Sequence, residues 1–282
     1  MKAQLTISVN CGKRLIAKAV LSIPEVKYAL KYGKVILKGG TTVSCIAEEL
    51  LGIKLRISGR VTRRGTVCSF KESNAPHTVI IENNTWQNID DSFFEMALKL
   101  RSKDVFITGV NAIDMEGNAA MMAGIPGGGD PGMFIVGLKD KGPRIIIAAG
   151  LEKLIPGKIS DIIDRVSRKD CDFSMGLAVE LIPVHGQVIT EIEALKIITG
   201  ACVTVIGCGG IDGAEGSTIV LVEGEEHTLN KAINEVIEYS SKPVSGEEQS
   251  LRECRPASPG CLHHLSCFYL HKNNLTLNRE AK

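Results

Sequence analysis

KVILKGGTTVSCIAEELLG, residues 34–52, changes its period twice within a few turns of chain. Lys34 to Leu37 is a short β-branched run, Lys38 to Thr42 is a glycine-threonine turn, and Val43 to Leu51 reads as a helix closed by Gly52. Strand, loop and helix in that order are the first half of a βαβ unit. Glycines let a backbone approach an anion, the first helical turn offers unpaired N–H groups at the positive end of the dipole, and two hydroxyls can donate as well. Lys38, Gly39, Gly40, Thr41 and Thr42 are therefore candidate phosphate ligands. The alternative is a tight turn with Thr41 or Thr42 as an ordinary N-cap.

Working outward, Pro24 to Tyr32 reads as a helix ended by Gly33. Strands are expected at His77 to Ile81, Asp104 to Thr108 and Arg144 to Ala148, with a helix at Asp90 to Leu100. Strands alternating with helices imply an α/β fold: a Rossmann-like parallel sheet with helices on both faces and a ligand beyond the carboxyl ends of the strands. From Gly176 the order becomes strand (to Pro183), helix (Thr190 to Thr199), strand (Ala201 to Ile206), strand (Ser217 to Glu223) and helix (Glu226 to Tyr239). That βαββα order suits a smaller α+β, ferredoxin-like domain. The expected division is residues 1–170, 171–243 and a tail at 244–282.

Two further loops carry chemistry. TGVNAIDMEGN, residues 108–118, follows a strand and sets Asn111 beside the carboxylates of Asp114 and Glu116, which could divide acid and base work. Asn, Asp and Gly are also the usual turn formers. Gly127, Gly128 and Gly129 cost conformational entropy, which suits a backbone that approaches a ligand, or a flexible surface loop.

Thirty-three Lys and Arg against 32 Asp and Glu leave no field to attract a polyanion, so nucleic acid is not an expected partner. No apolar run is long enough for a membrane span, and no signal segment is legible. Nine cysteines without framework spacing suit reduced thiols in the cytoplasm. Cys202 and Cys208 read as small apolar fillers. The tail carries Cys254, Cys261, His263, His264, Cys267 and His271, whose spacing fits no usual zinc pattern; no metal or other cofactor is expected.

In their order, these segments resemble the superfamily of the A-type ribose-5-phosphate isomerases, sugar-sensing repressor domains and CoA transferases. Val35 to Leu50 is similar to the isomerase phosphate loop, Thr108 to Asp114 to its acidic turn and Gly127 to Gly129 to its glycine loop. The strand Arg144 to Ala148 with Glu152, Lys153 and Leu154, the segment Leu177 to Pro183, Glu191 to Leu195 and Gly200 continue the likeness over about residues 15–225. The isomerase aspartates are replaced by Thr108 and Asn111, its lysine by Pro126, and its glutamate base has no counterpart. The resemblance implies a phosphorylated small-molecule ligand, a sugar phosphate or nucleotide-like compound, bound by a sensor or an isomerase-like enzyme, with Asp114 or Glu116 as base. A CoA-ester-binding, transferase-like protein and an interaction module with a vestigial pocket are the alternatives, and homo-oligomerisation is left open.

Overall fold

The computed structural model describes residues 1–68, 73–125, 142–252 and Cys267. In chain order the elements are β1 (Lys2–Ile7), α1 (Val9–Ser22), α2 (Pro24–Tyr32), β2 (Lys34–Lys38), α3 (Thr41–Leu51), β3 (Gly59–Thr62), β4 (Gly65–Cys68), β5 (Thr78–Glu82) and β6 (Thr85–Asn88). Then follow α4 (Phe93–Leu98), β7 (Val105–Thr108), β8 (Ala112–Ile113), β9 (Ala119–Ala123), β10 (Arg144–Ala148), α5 (Ile159–Ile163), β11 (Glu180–Val184) and β12 (Gln187–Ile189). The last are α6 (Glu191–Thr199), β13 (Cys202–Gly209), β14 (Ser217–Glu223) and α7 (Glu226–Tyr239).

A six-stranded sheet in the order β12-β10-β7-β2-β5-β6 is the centre of this α/β fold. Val35, Ile36 and Leu37 of β2 and every residue of β7 are buried, because continuous apolar strands can only be satisfied with both faces covered. One face packs Val35, Leu37, Ile146 and Ala148 against α1, α3, α6 and α7. The other carries Ile36, Ile80 and Phe106 under α4, and Ile147 and Ala149 under the sheet β11-β9-β8.

β2, β7, β10 and β12 run parallel, but the sheet is mixed: β5 is antiparallel to β2, with Lys38 opposite Thr78, and β6 is antiparallel to β5. The parallel direction expected for His77 to Ile81 fails for a local reason. After Gly52 the chain leaves the helix without regular structure and returns to the carboxyl end of β2, where the Arg56 amide donates to the Pro76 carbonyl (2.8 Å) and that of Gly39 to the His77 carbonyl (2.7 Å). β5 therefore starts at the edge where β2 ends. Asp90 fixes this start by accepting from the amides of His77 and Thr78 and from Arg56 Nη2.

The strand expected from Gly176 begins at Glu180 and pairs with β9, where Pro183 is tolerated because β11 is an edge strand. The strands expected at Ala201 to Ile206 and Ser217 to Glu223 are β13 and β14, which pair antiparallel, and β1 completes their sheet from the other end of the chain. Residues 244–252 are docked rather than free. Ser245 and Ser250 are fully buried, Ser245 Oγ donates to Ser44 Oγ (2.8 Å), and the Ile57 amide donates to Ser250 Oγ (3.0 Å). Hydroxyl-to-backbone docking leaves no apolar periodicity to read. Of the cysteine and histidine cluster, only Cys267 is among the described residues, and it is buried. Cys202 and Cys208 are exposed on β13 rather than filling the core.

Candidate functional site at the carboxyl edge of the sheet

The N-cap of α3 is Gly40, with extended backbone and no side-chain cap, so Thr41 and Thr42 are the first two helical residues and neither is the cap. Ser44 N donates to Gly40 O (2.7 Å); helix geometry leaves the amides of Thr41, Thr42 and Val43 without an intrahelical acceptor. Thr42 is 2% exposed, and its Oγ1 has no hydrogen-bond partner among the described residues.

The two glycines of the loop serve different ends. A Cβ on Gly39 would lie 2.6 Å from His77 O and 2.8 Å from Arg56 O, and closer still to the His77 ring, so Gly39 is required by packing. A Cβ on Gly40 would meet nothing within 4 Å. Lys38, the last residue of β2, is part-buried and has Met121 Sδ at 3.6 Å from its Nζ. Burial lowers its pKa to about 8. Beside it, His77 holds Arg56 O at 2.8 Å from Nδ1; a carbonyl can only accept, so Nδ1 carries the proton and Nε2 keeps a lone pair. Burial, reinforced by the Lys38 charge, lowers the His77 pKa to about 4, so the ring is neutral. Sequence alone missed His77, because it reaches the loop only through the antiparallel return of β5.

The acidic turn is built for shape. Asp114 accepts from the amides of Glu116, Asn118 and Ile159 and from Asn118 Nδ2, all at 2.9–3.0 Å. Burial alone would raise its pKa, but these bonds outweigh burial and hold the carboxyl below its ordinary value. A carboxylate with so many donors is a strut joining the turn to α5, poorly suited to accept a proton. Glu116 is exposed and paired with Lys158 (2.5 Å). Asn111 Oδ1 accepts from the Met122 amide, and the buried Thr108 hydroxyl donates to Gly109 O. Gly127, Gly128 and Gly129 lie outside the described residues.

A second charged group at this edge was also missed. Glu191 opens α6 directly after β12, behind the N-cap Thr190, and is 3% exposed. Its Oε2 accepts from the Leu151 amide (2.8 Å). A Cβ on Gly150 would stand 2.7 Å from Glu191 Oε1 and closer still to Glu152 Oε2, which places the two oxygens within roughly 5 Å, where like charges resist joint ionisation. A Cβ on Gly12 would also collide with Glu191 Oε1. Glu152 Oε2 is buried without a hydrogen-bond partner among the described residues. Burial first, then the Glu152 charge, raises the Glu191 pKa to about 7. Lys153 and the buried Lys13 complete the cluster; burial lowers the Lys153 pKa, against the pull of both glutamates.

At the opposite, amino edge a depression of about 620 Å³ is lined by residues including Tyr28, Ser102, Asp104 and Arg144. Its buried carboxylate, Asp104, is already engaged by the amides of Lys34 and Arg101, which makes it structural. Among the described residues no group of three or more His, Cys, Asp and Glu could hold a metal, and no helix is long and apolar enough to cross a membrane. Set against protein-family models, curated proteins and solved structures, the chain matches none of them.

Proposed function

We propose that the protein binds a phosphorylated small molecule, a sugar phosphate or nucleotide-like compound, at the carboxyl edge of the sheet, as a diverged member of the ribose-5-phosphate isomerase and CoA transferase superfamily. The observation that carries this reading is the buried Thr42 hydroxyl in the first turn of α3, which has no hydrogen-bond partner among the described residues. It stands with the free amides of that turn, and Lys38 adds positive charge one strand-end away. An anion there gains backbone donors, a hydroxyl and the helix dipole together. On this reading β2, β7, β10 and β12 are the Rossmann-like part, and α6, β13, β14 and α7 derive from a ferredoxin-like unit.

Thermal unfolding with inorganic phosphate, sugar phosphates, nucleotides and CoA esters tests the site. A compound at a hundred times its Kd adds about 2.7 kcal/mol to native stability. Gly40→Val places its side chain in open space, so the apo melting temperature should hold while the ligand-induced gain disappears. A variant that retains the full gain refutes the phosphate site.

A further inference from the structure

We propose that Lys38 is the amine that forms a Schiff base with a carbonyl carbon of the bound phosphate ester, which narrows the ligand class to aldehyde or ketone phosphates. The proposal rests on the phosphate reading of the α3 amino terminus. Geometry makes the argument. β2 is an interior strand between β7 and β5, so its last side chain arrives in the middle of the carboxyl edge. Its Nζ forms no ion pair among the described residues; its neighbour is the Met121 thioether, a weak acceptor that leaves an ammonium uncompensated.

With the pKa lowered to about 8, roughly a tenth of the side chain is free amine at pH 7, a few hundred times the fraction of an ordinary lysine. Desolvation of this kind is how lysines become nucleophiles. The Nζ lone pair would attack the carbonyl carbon, giving a carbinolamine as one N–H proton passes to the oxygen. Loss of the second N–H proton and departure of that oxygen as water leave the C=N bond. No oxidant or reductant is consumed. Among the described residues, the charged and titratable groups beside this amine are His77, just before β5, and, behind it, Arg56. His77 is neutral, with its Nδ1 committed to the Arg56 carbonyl.

The test treats the wild-type protein with glycolaldehyde phosphate and cyanoborohydride at pH 7, and maps the reduced adduct by peptide mass spectrometry. Labelling at Lys38 should run on the order of a hundredfold faster than at exposed Lys27, rise to half its maximum near pH 8, and slow at least about tenfold under excess inorganic phosphate. Glycolaldehyde, lacking the phosphate, separates the two readings. If both aldehydes label Lys38 equally fast and phosphate gives no protection, the Schiff base stands and the phosphate site fails. If inorganic phosphate stabilises the protein through Gly40 while Lys38 labels no faster than Lys27, the Schiff base is refuted and the phosphate site stands.

Discussion

Replacing Glu191 by Gln should make the protein more stable at neutral and alkaline pH, an unusual outcome for a change at a buried polar residue. Its folded-state pKa is raised from 4.5 to about 7, so between these values the folded protein holds a proton that the unfolded chain has released. The stabilisation from that proton is complete below about pH 4.5 and is lost as pH rises through about 7. Moving a carboxyl pKa that far is worth about 3 kcal/mol, the scale of the penalty wild type carries at pH 8. Glutamine keeps an oxygen for the Leu151 amide and brings an NH₂ toward Glu152 Oε2, which has no partner among the described residues. Urea unfolding of both proteins at pH 5, 6, 7 and 8, followed by circular dichroism, reads the effect. The difference between variant and wild type cancels groups common to both. That difference should grow in favour of Glu191→Gln by about 2.5 kcal/mol from pH 5 to pH 8. A difference independent of pH, or one that shrinks as pH rises, would show that Glu191 is ionised in the fold and that the carboxylate pair shares no proton.

Three further changes test the neighbouring assignments. Gly39→Ala should cost about 1–3 kcal/mol, because the added Cβ meets the His77 and Arg56 carbonyls, which cannot rotate away; chemical denaturation measures it. Asp114→Asn should lower stability by about 2–3 kcal/mol, since a charged acceptor of several amides is lost, and leave ligand affinity within a few-fold by calorimetry. Ser250→Ala should cost about 1–2 kcal/mol by stranding the buried Ile57 amide, seen as a lower urea midpoint with an unchanged slope.

Much of the central sheet was legible because continuous burial leaves a continuous apolar run: β2, β7 and β10 stand where Val, Ile and Phe cluster, and helices α2, α3, α6 and α7 stand where a 3.6-residue period meets a Gly, Pro or Thr boundary. Direction was less legible than position. β5 looks the same in sequence whether it runs parallel or antiparallel, and what turned it round was the return after Gly52 and the Asp90 clamp, neither of which has a period. The strand, glycine turn and helix of residues 34–52 were legible as a local motif. His77 and Glu191 were not, for each acquires its environment from a segment tens of residues away. The acidic turn misled in the other direction, since the carboxylate of Asp114 looks reactive in sequence and is spent on backbone donors in the fold.

The two edges of the sheet differ in how their buried oxygens are satisfied. At the amino edge Asp104 bonds the amides of Lys34 and Arg101 and adds to the fold. At the carboxyl edge the account does not balance. The buried hydroxyl and carboxylate oxygens without a partner among the described residues, Thr42 Oγ1 and Glu152 Oε2, both lie there, as do two lysines and a glutamate whose ionised forms burial disfavours. An unmade hydrogen bond costs about 1–3 kcal/mol, and Glu191 adds a comparable burden above pH 7. Gly12 and Gly150 forgo side chains to leave room for that burden. Such costs, concentrated on one edge of the strands that carry the core, support the proposal that this edge receives a ligand.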